Sequence, residues 1–200
     1  KQKRLIVQGK LPHVFIPQRY HGFPLPVPQF KLCMFLKSEI RKHDLPIAFK
    51  RWIVARQAPH RQLLIFVSTV DLAHRLKESF MFTLKNTSVI RDSTELAVVH
   101  ASDPEREEKV IQFRKKRLRV LVTTTILERG VTFPSIDVAV IDASHHVFDE
   151  AALVQIAGRA GRNAKDPTGE VVFFHDGKSN AMVQAVRSIH AMNRRGGFSS

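Results

Sequence analysis

The chain has 200 residues, 44% of them hydrophobic, and 32 Lys and Arg against 18 Asp and Glu give it a formal net charge of +14. That length suits one α/β domain plus an appendage, with apolar residues enough for a sizeable core. The single Cys33 excludes a disulfide framework and any cysteine-based zinc site within the chain, and is expected as a free thiol in a reducing compartment. No apolar run approaches the ~18 residues of a membrane span.

The first residues, Lys1-Gln-Lys-Arg-Leu, lack both Met and the apolar stretch of a signal peptide, as expected of a fragment of something longer. Charge concentrates here. Residues 1–60 hold twelve Lys and Arg against Glu39 and Asp44, leaving 20 of the 32 basic and 16 of the 18 acidic residues for the remainder. Such a balance favours polyanion binding near the N-terminal third, or a face that meets an acidic partner. Lys1–Lys10 carries an apolar Leu5-Ile-Val that reads as a strand. Leu11–Pro28 holds five prolines, which remove donors and fix φ, so it reads as an extended connector. Its Arg19, Tyr20 and His21 suit a nucleic-acid or nucleotide contact, or simply a linker laid over the surface.

Gln29–Arg41 reads as a helix with Phe30, Met34 and Leu36 facing a core. Pro46–Ala58 reads as a second helix, with Ile47, Phe49, Ile53 and Val54 partly apolar; Trp52 among basic residues either stacks a base or packs against the domain. Gln62–Ser68 is a continuous apolar run and a buried strand. Ser68 and Thr69 can cap the helix that follows, where Leu72, Leu76 and Phe80 recur at spacing four. A hydroxyl at a helix N-terminus also suits a phosphate. Asn86–Thr94 is a polar loop, Leu96–His100 a short strand, and Ser102-Asp-Pro-Glu opens another helix with Val110, Ile111 and Phe113 on its apolar face. His100 ends its strand on the side where Thr123 ends the next one, Leu118–Thr123, if the sheet is parallel; there it contacts phosphate or serves as a structural hydrogen-bonder. Ile136–Ile141 is another buried strand. Asp149 caps a further helix, with Glu150 in its first turn. Glu170–Phe174 is a strand and Ser179–Asn193 a helix. Strands and helices alternate throughout, which argues a parallel sheet covered on both faces.

Gly158 and Gly161 each cost about 1 kcal/mol inside a helix, so either the helix ends there or something approaches its backbone closely. Arg159 and Arg162 are three apart and would share a helix face. Two guanidiniums among small neighbours suit a multiply charged anion such as a nucleotide phosphate, and also suit a solvated basic helix end. Gly177-Lys-Ser179 mimics the tail of a phosphate loop, but Val172 stands where that loop needs glycine, so Asp176-Gly177 reads as a turn and Ser179 as a cap.

Three stretches together resemble superfamily 2 helicases. Leu63-Leu-Ile-Phe-Val-Ser-Thr69 is similar to their motif IV. Thr123-Thr-Thr-Ile-Leu-Glu-Arg-Gly-Val-Thr-Phe-Pro134 is similar to motif V, and Gln155-Ile-Ala-Gly-Arg-Ala-Gly-Arg162 to motif VI. Within that group, the Arg-Gly-Val-Thr-Phe-Pro ending and Arg19-Tyr-His-Gly-Phe-Pro-Leu-Pro-Val-Pro28 resemble the competence DNA-uptake translocases, the ComFA family. The resemblance implies a RecA-like three-layer α/β/α lobe with a mainly parallel sheet. Residues 1–29 would end the first lobe and form the connector; residues 30–200 would hold the helicase C-terminal domain.

By the same resemblance, Arg159 and Arg162 would be the arginines that stabilise the transferring phosphoryl group, with Gln155, Gly130 and Thr132 at the nucleotide. Ser68, Thr69, His100, Thr124 and Thr125 would contact the nucleic-acid backbone, which fixes register without reading sequence. ATP and Mg²⁺ would be held mainly by an N-terminal RecA-like lobe, since this chain has no phosphate loop and no Asp-Glu box. Expected partners are single-stranded DNA, that first lobe, a membrane DNA-uptake channel and other competence proteins. The expected location is cytoplasmic, peripheral at the inner face of the membrane.

Two positions depart from the family. Thr132 stands where many members carry Asp, and Ile156 where many carry Arg. A primosomal-type replication helicase shares Gly-Arg-Ala-Gly-Arg but brings a cysteine-rich zinc insert, which one cysteine argues against. A non-catalytic RecA-like module that binds nucleic acid is the reading from another class.

Overall fold

The computed structural model describes residues 23–124, 133–160, 166 and 168–198. The strands are β1 (Gln29–Leu32), β2 (Gln62–Phe66), β3 (Leu96–Val99), β4 (Val120–Thr123), β5 (Ile136–Ile141) and β6 (Val171–His175). The helices are α1 (Leu36–Arg41), α2 (Ile47–Ala55), α3 (Val70–Arg75), α4 (Lys77–Asn86), α5 (Arg106–Arg114), α6 (Glu150–Ala157) and α7 (Asn180–Arg195). The sheet runs β1-β6-β5-β2-β4-β3, and every neighbouring pair is parallel.

The period-2 alternation of each strand splits the core into two layers. Leu63 and Ile65 of β2 pack with Leu36, Phe49, Leu72 and Phe80 of α1–α4. Leu64 and Phe66 pack with Phe113, Leu153 and Ile189 of α5–α7. All of β2, β4 and β5 is buried, as near-continuous apolar strands in a covered parallel sheet must be. The expected three-layer RecA-like architecture is therefore present.

The first predicted helix is corrected. Gln29–Leu32 is an edge strand paired with β6, where Phe30 stacks on Phe173 at 6.0 Å. Only Leu36 and Ile40 of α1 are buried, and Met34 is 76% exposed. The second helix is shorter than predicted, and Ile47 and Val54 face outward. Trp52 is buried against Phe49 and Phe174 and donates from Nε1 to Glu170 at 2.9 Å, so it packs against the domain and stacks no base. The helix expected from Ser102 starts at Arg106, because Asp103 turns the chain by accepting the Glu105 N–H. Leu72, Leu76 and Phe80 are all buried as predicted, across two helices that meet at Leu76. Burial pushes the Cys33 thiol up to about 11, which leaves it unreactive.

A buried ionic cluster holds the N-terminal edge of the sheet. Asp137 opens β5 and accepts from Arg56 Nε and Nη2 at 3.0 and 2.7 Å, from Arg61 Nη1 at 3.3 Å and from the Glu170 N–H at 2.9 Å. Arg61 also binds Asp166 and the Thr168 carbonyl. The segment after Phe23 lies on α7. The buried Asn193 amide both accepts the Leu25 N–H at 2.7 Å and donates to the Leu25 carbonyl at 2.9 Å.

Candidate nucleotide and nucleic-acid site

Strand order places the site. β2 leads through α3 and α4 toward β3 on one side, whereas its neighbour β5 leads through α6 to β6 on the other. The connecting helices leave on opposite faces of the sheet, so a crevice opens at the carboxyl ends of β2 and β5. Ligands of open α/β sheets bind at such a switch point. Here the crevice is a cleft of about 220 Å³ lined by Phe66, Asp149, Ala151, Ala152, Gln155, Ile156 and Arg159.

The local sequence builds that wall. Asp149 caps α6 by accepting the Ala152 N–H at 2.7 Å, as predicted. Gln155 and Arg159 are four apart and both reach the cleft, with the small Ala151 and Ala152 leaving the room between them. The helix ends at Ala157, where the Gly158 N–H bonds to the Val154 carbonyl. The Arg159 and Ala160 N–H groups then bond to the Ile156 and Ala157 carbonyls. Arg159 is thus carried by a tightened turn beyond the helix, and Arg162, expected on the same helix face, lies outside the described residues. Gly158 takes ordinary right-handed dihedrals, so its place is at the helix stop. Ile156, where an arginine was noted as usual, is 3% exposed and belongs to the core.

Three of the predicted backbone-contacting residues, Ser68, His100 and Thr124, follow three adjacent strand ends. Phe66 and Val99 both lie in register with Thr123, so Ser68, Thr124 and His100 follow the carboxyl ends of β2, β4 and β3 side by side. The Val67 N–H donates to the Thr123 carbonyl at 2.9 Å and extends the ladder to their edge. Thr69 Oγ1 accepts the Leu72 N–H at 3.1 Å and caps α3; its hydroxyl proton is still available to donate. The His100 ring meets His74 edge-on at 5.7 Å. Thr125, Gly130, Thr132 and Arg162, like the Arg19, Tyr20 and His21 segment, lie outside the described residues.

Sequence reasoning treated Phe66 as core and Asp149 as a cap only; both also line the cleft. The loop between Asp142 and Asp149 carries no signal in the sequence. There Lys37 Nζ lies 2.8 and 3.0 Å from the two oxygens of buried Asp142, and Ser144 Oγ donates to Asp176 at 2.6 Å. That hydrogen bond holds the Asp176 carboxyl below its ordinary value. Among the described residues, no three His, Cys, Asp or Glu side chains converge to hold a metal ion, and no helix is long and apolar enough to cross a membrane.

Comparison with known proteins agrees with this fold. The helicase conserved C-terminal domain matches residues 46–164. The competence protein ComFA of Bacillus subtilis (strain 168) is 41% identical over 191 residues, 96% of this chain and 39% of that protein. ComFA of Streptococcus pneumoniae (strain ATCC BAA-255 / R6) is 35% identical over 95% of this chain and 42% of its own length. The chain therefore spans about two fifths of these relatives. Among solved structures, S. cerevisiae Dbp5 bound to RNA and ADP BeF3 superposes with a TM-score of 0.57 over 86% of this chain and 40% of that one, at 19% identity. Domain 2 of Mss116p bound to an RNA duplex gives 0.55 over 82% and 59%, at 22% identity. Those two likenesses concern the fold alone. On its fold and on the match across residues 46–164, the chain belongs to the helicase C-terminal domain family, as a RecA-like lobe homologous to the competence protein ComFA.

Proposed function

We propose that this chain is the second motor lobe of an ATP-dependent DNA translocase that draws in single-stranded DNA during competence. The observation that carries the reading is the cleft at the sheet's switch point, with Gln155 and Arg159 on one wall. A guanidinium and an amide suit the phosphate end of a nucleotide, and the described residues offer no acidic cluster to share a metal ion with it. The nucleotide and Mg²⁺ would therefore be held mainly by an upstream lobe, with this lobe closing over them. Bound there, ATP would supply the free energy of phosphoanhydride hydrolysis.

Each residue then has a physical task. The Arg159 guanidinium neutralises charge that develops on the transferring phosphoryl oxygens, and Arg162 would join it. Gln155 orients by hydrogen bonding, and Gly130 and Thr132 would complete the nucleotide edge. Ser68, Thr69, Thr124, Thr125 and His100 hold the DNA backbone by hydroxyl and imidazole donors, without base readout. Because β2 ends at Phe66 in the cleft and Ser68 follows two residues on, closure around a nucleotide shifts both contacts together. The competence setting is supported by the ComFA relatives; a DNA-uptake channel and other competence proteins would be its partners at the inner face of the membrane.

The full-length protein tests this. ATP turnover should rise on addition of single-stranded DNA, and DNA affinity should fall steeply with salt, as counterion release by the basic N-terminal third requires. Absence of turnover with salt-sensitive DNA affinity retained would favour the non-catalytic module, and turnover indifferent to DNA would contradict the translocase.

A further inference from the structure

The loop between β5 and α6 is built more firmly than a connector needs. The His145 N–H donates to the Asp142 carbonyl at 2.9 Å and the Phe148 N–H to the His145 carbonyl at 3.0 Å. Two turns therefore follow one another, with His146 and Val147 at the tip of the second. Asp142 accepts a left-handed backbone, φ 62°, while Lys37 holds its carboxylate. Ser144 is tied to Asp176 on the far side, Phe148 is buried in the core, and Asp149 caps α6. The loop is fixed at its start, its middle and its end.

At the tip the two imidazoles stack, with ring centroids 4.3 Å apart and 29° between planes. The Val147 N–H donates to His145 Nδ1 at 3.2 Å, so that nitrogen is an acceptor and the ring carries its proton on Nε2. Burial pushes the His145 imidazole below its ordinary value, with His146 and Lys37 adding to the effect and Asp142 opposing it. His145 is thus a neutral, oriented backing, and His146 lies exposed on it. Three residues further on, Asp149 lines the same cleft as Gln155 and Arg159.

We infer that the stacked His145–His146 pair is a platform for a nucleobase, with the exposed His146 ring stacking on the base. The inference rests on the nucleotide-driven reading of the cleft and adds a base site to its phosphate end. Aromatic side chains bind bases through the π-face that all bases share, which suits a motor indifferent to sequence. A pair serving only the loop would need no rigid tip, since the His145 acceptor already caps the turn. Two sources could supply the base: the nucleotide whose phosphates face Arg159, or the DNA strand.

The test uses the full-length protein with two fluorescent probes, etheno-ATP and a single-stranded oligonucleotide containing 2-aminopurine. Inorganic tripolyphosphate, measured as a competitor, reports the phosphate end alone. In His146→Ala, affinity for one probe should fall about 5- to 150-fold, the range that one base–aromatic stack accounts for, while tripolyphosphate competes as in the parent. His146→Phe should restore the affinity, since it keeps the ring and discards the imidazole nitrogens. Loss confined to etheno-ATP identifies the nucleotide as the occupant, and loss confined to the oligonucleotide identifies DNA; either outcome supports the platform. Unchanged affinity for both probes in His146→Ala overturns it, as does a His146→Phe variant no better than His146→Ala. A parent protein that binds neither probe would instead overturn the nucleotide-driven reading itself, so the two failures are separable.

Discussion

Asp137→Ala removes the acceptor around which the N-terminal edge of the sheet is assembled. Asp137 and the Arg56 side chain are both 0% exposed, so their pairing is shielded from solvent. After the substitution Arg61 keeps Asp166 and the Thr168 carbonyl, whereas Arg56 keeps only the Arg61 carbonyl. Arg56 Nη1 already lacks a hydrogen-bond partner, and its guanidinium leans on the Trp52 ring at 5.8 Å. One buried cation is therefore left uncompensated, and the Glu170 N–H loses its acceptor. Breaking a buried pair in this way costs about 3–5 kcal/mol. For a domain of this size, each kcal/mol lowers Tm by roughly 2–4 °C, so a drop of about 6–20 °C is expected. Thermal and urea unfolding followed through Trp52, the only tryptophan in the chain, measures it. Replacing both partners with apolar residues, Arg56→Met with Asp137→Leu, should recover most of the loss. A single-variant loss below about 1 kcal/mol, or a double variant no more stable than Asp137→Ala, would refute the account.

Two further outcomes follow from named contacts. Asn193→Leu should keep the fold but release the segment beside α7, read as faster hydrogen exchange at the Leu25 amide, whose acceptor is the Asn193 side chain; unchanged exchange would contradict the clamp. Acid should destabilise the domain. The Arg61 guanidinium holds the Asp166 carboxyl below the ordinary carboxylate range, and Ser144 does the same for Asp176. With folded values below unfolded ones, their stabilisation is present above about pH 4 and is lost as pH falls through the folded values. Urea midpoints measured from pH 7 to pH 3 should therefore decline at the acid end, and less steeply in Asp166→Asn.

Much of this fold is legible in the sequence for a simple reason. β2, β4 and β5 are buried on both faces, so Leu63–Phe66, Val120–Val122 and Ile136–Ile141 read as apolar runs without any knowledge of their neighbours. Thr69, Asp149 and Ser179 are legible as caps because capping is decided within three residues. The strand at Gln29–Leu32 is not legible. It lies at a sheet edge with most of its residues exposed, and its identity depends on pairing with β6 at the far end of the chain. Phe30 and Met34 meanwhile mimic a helical spacing. Trp52 is similar: only the fold brings Glu170 to its indole nitrogen. At the site, the resemblance to motif VI points to Gln155 and Arg159, but the place of Phe66 in the same cleft emerges only from the strand order that sets β2 beside β5.

The most direct measurement of the central claim, that Arg159 acts on a nucleotide at the switch-point cleft, is steady-state ATP turnover of the full-length protein with Arg159→Ala and Arg159→Lys. Single-stranded DNA is present throughout, and oligonucleotide affinity is measured on the same preparations. Loss of an arginine that stabilises phosphoryl transfer costs about 10³–10⁵ in rate, so Arg159→Ala should lose nearly all turnover. Arg159→Lys should recover little, because a point charge does not reproduce the planar fork. DNA affinity should stay near parental, since the contacts proposed for DNA are at the strand ends and in the basic N-terminal third. Near-parental turnover in Arg159→Ala, or turnover and DNA affinity lost in parallel, would contradict the claim and make Arg159 a structural or DNA-contacting residue.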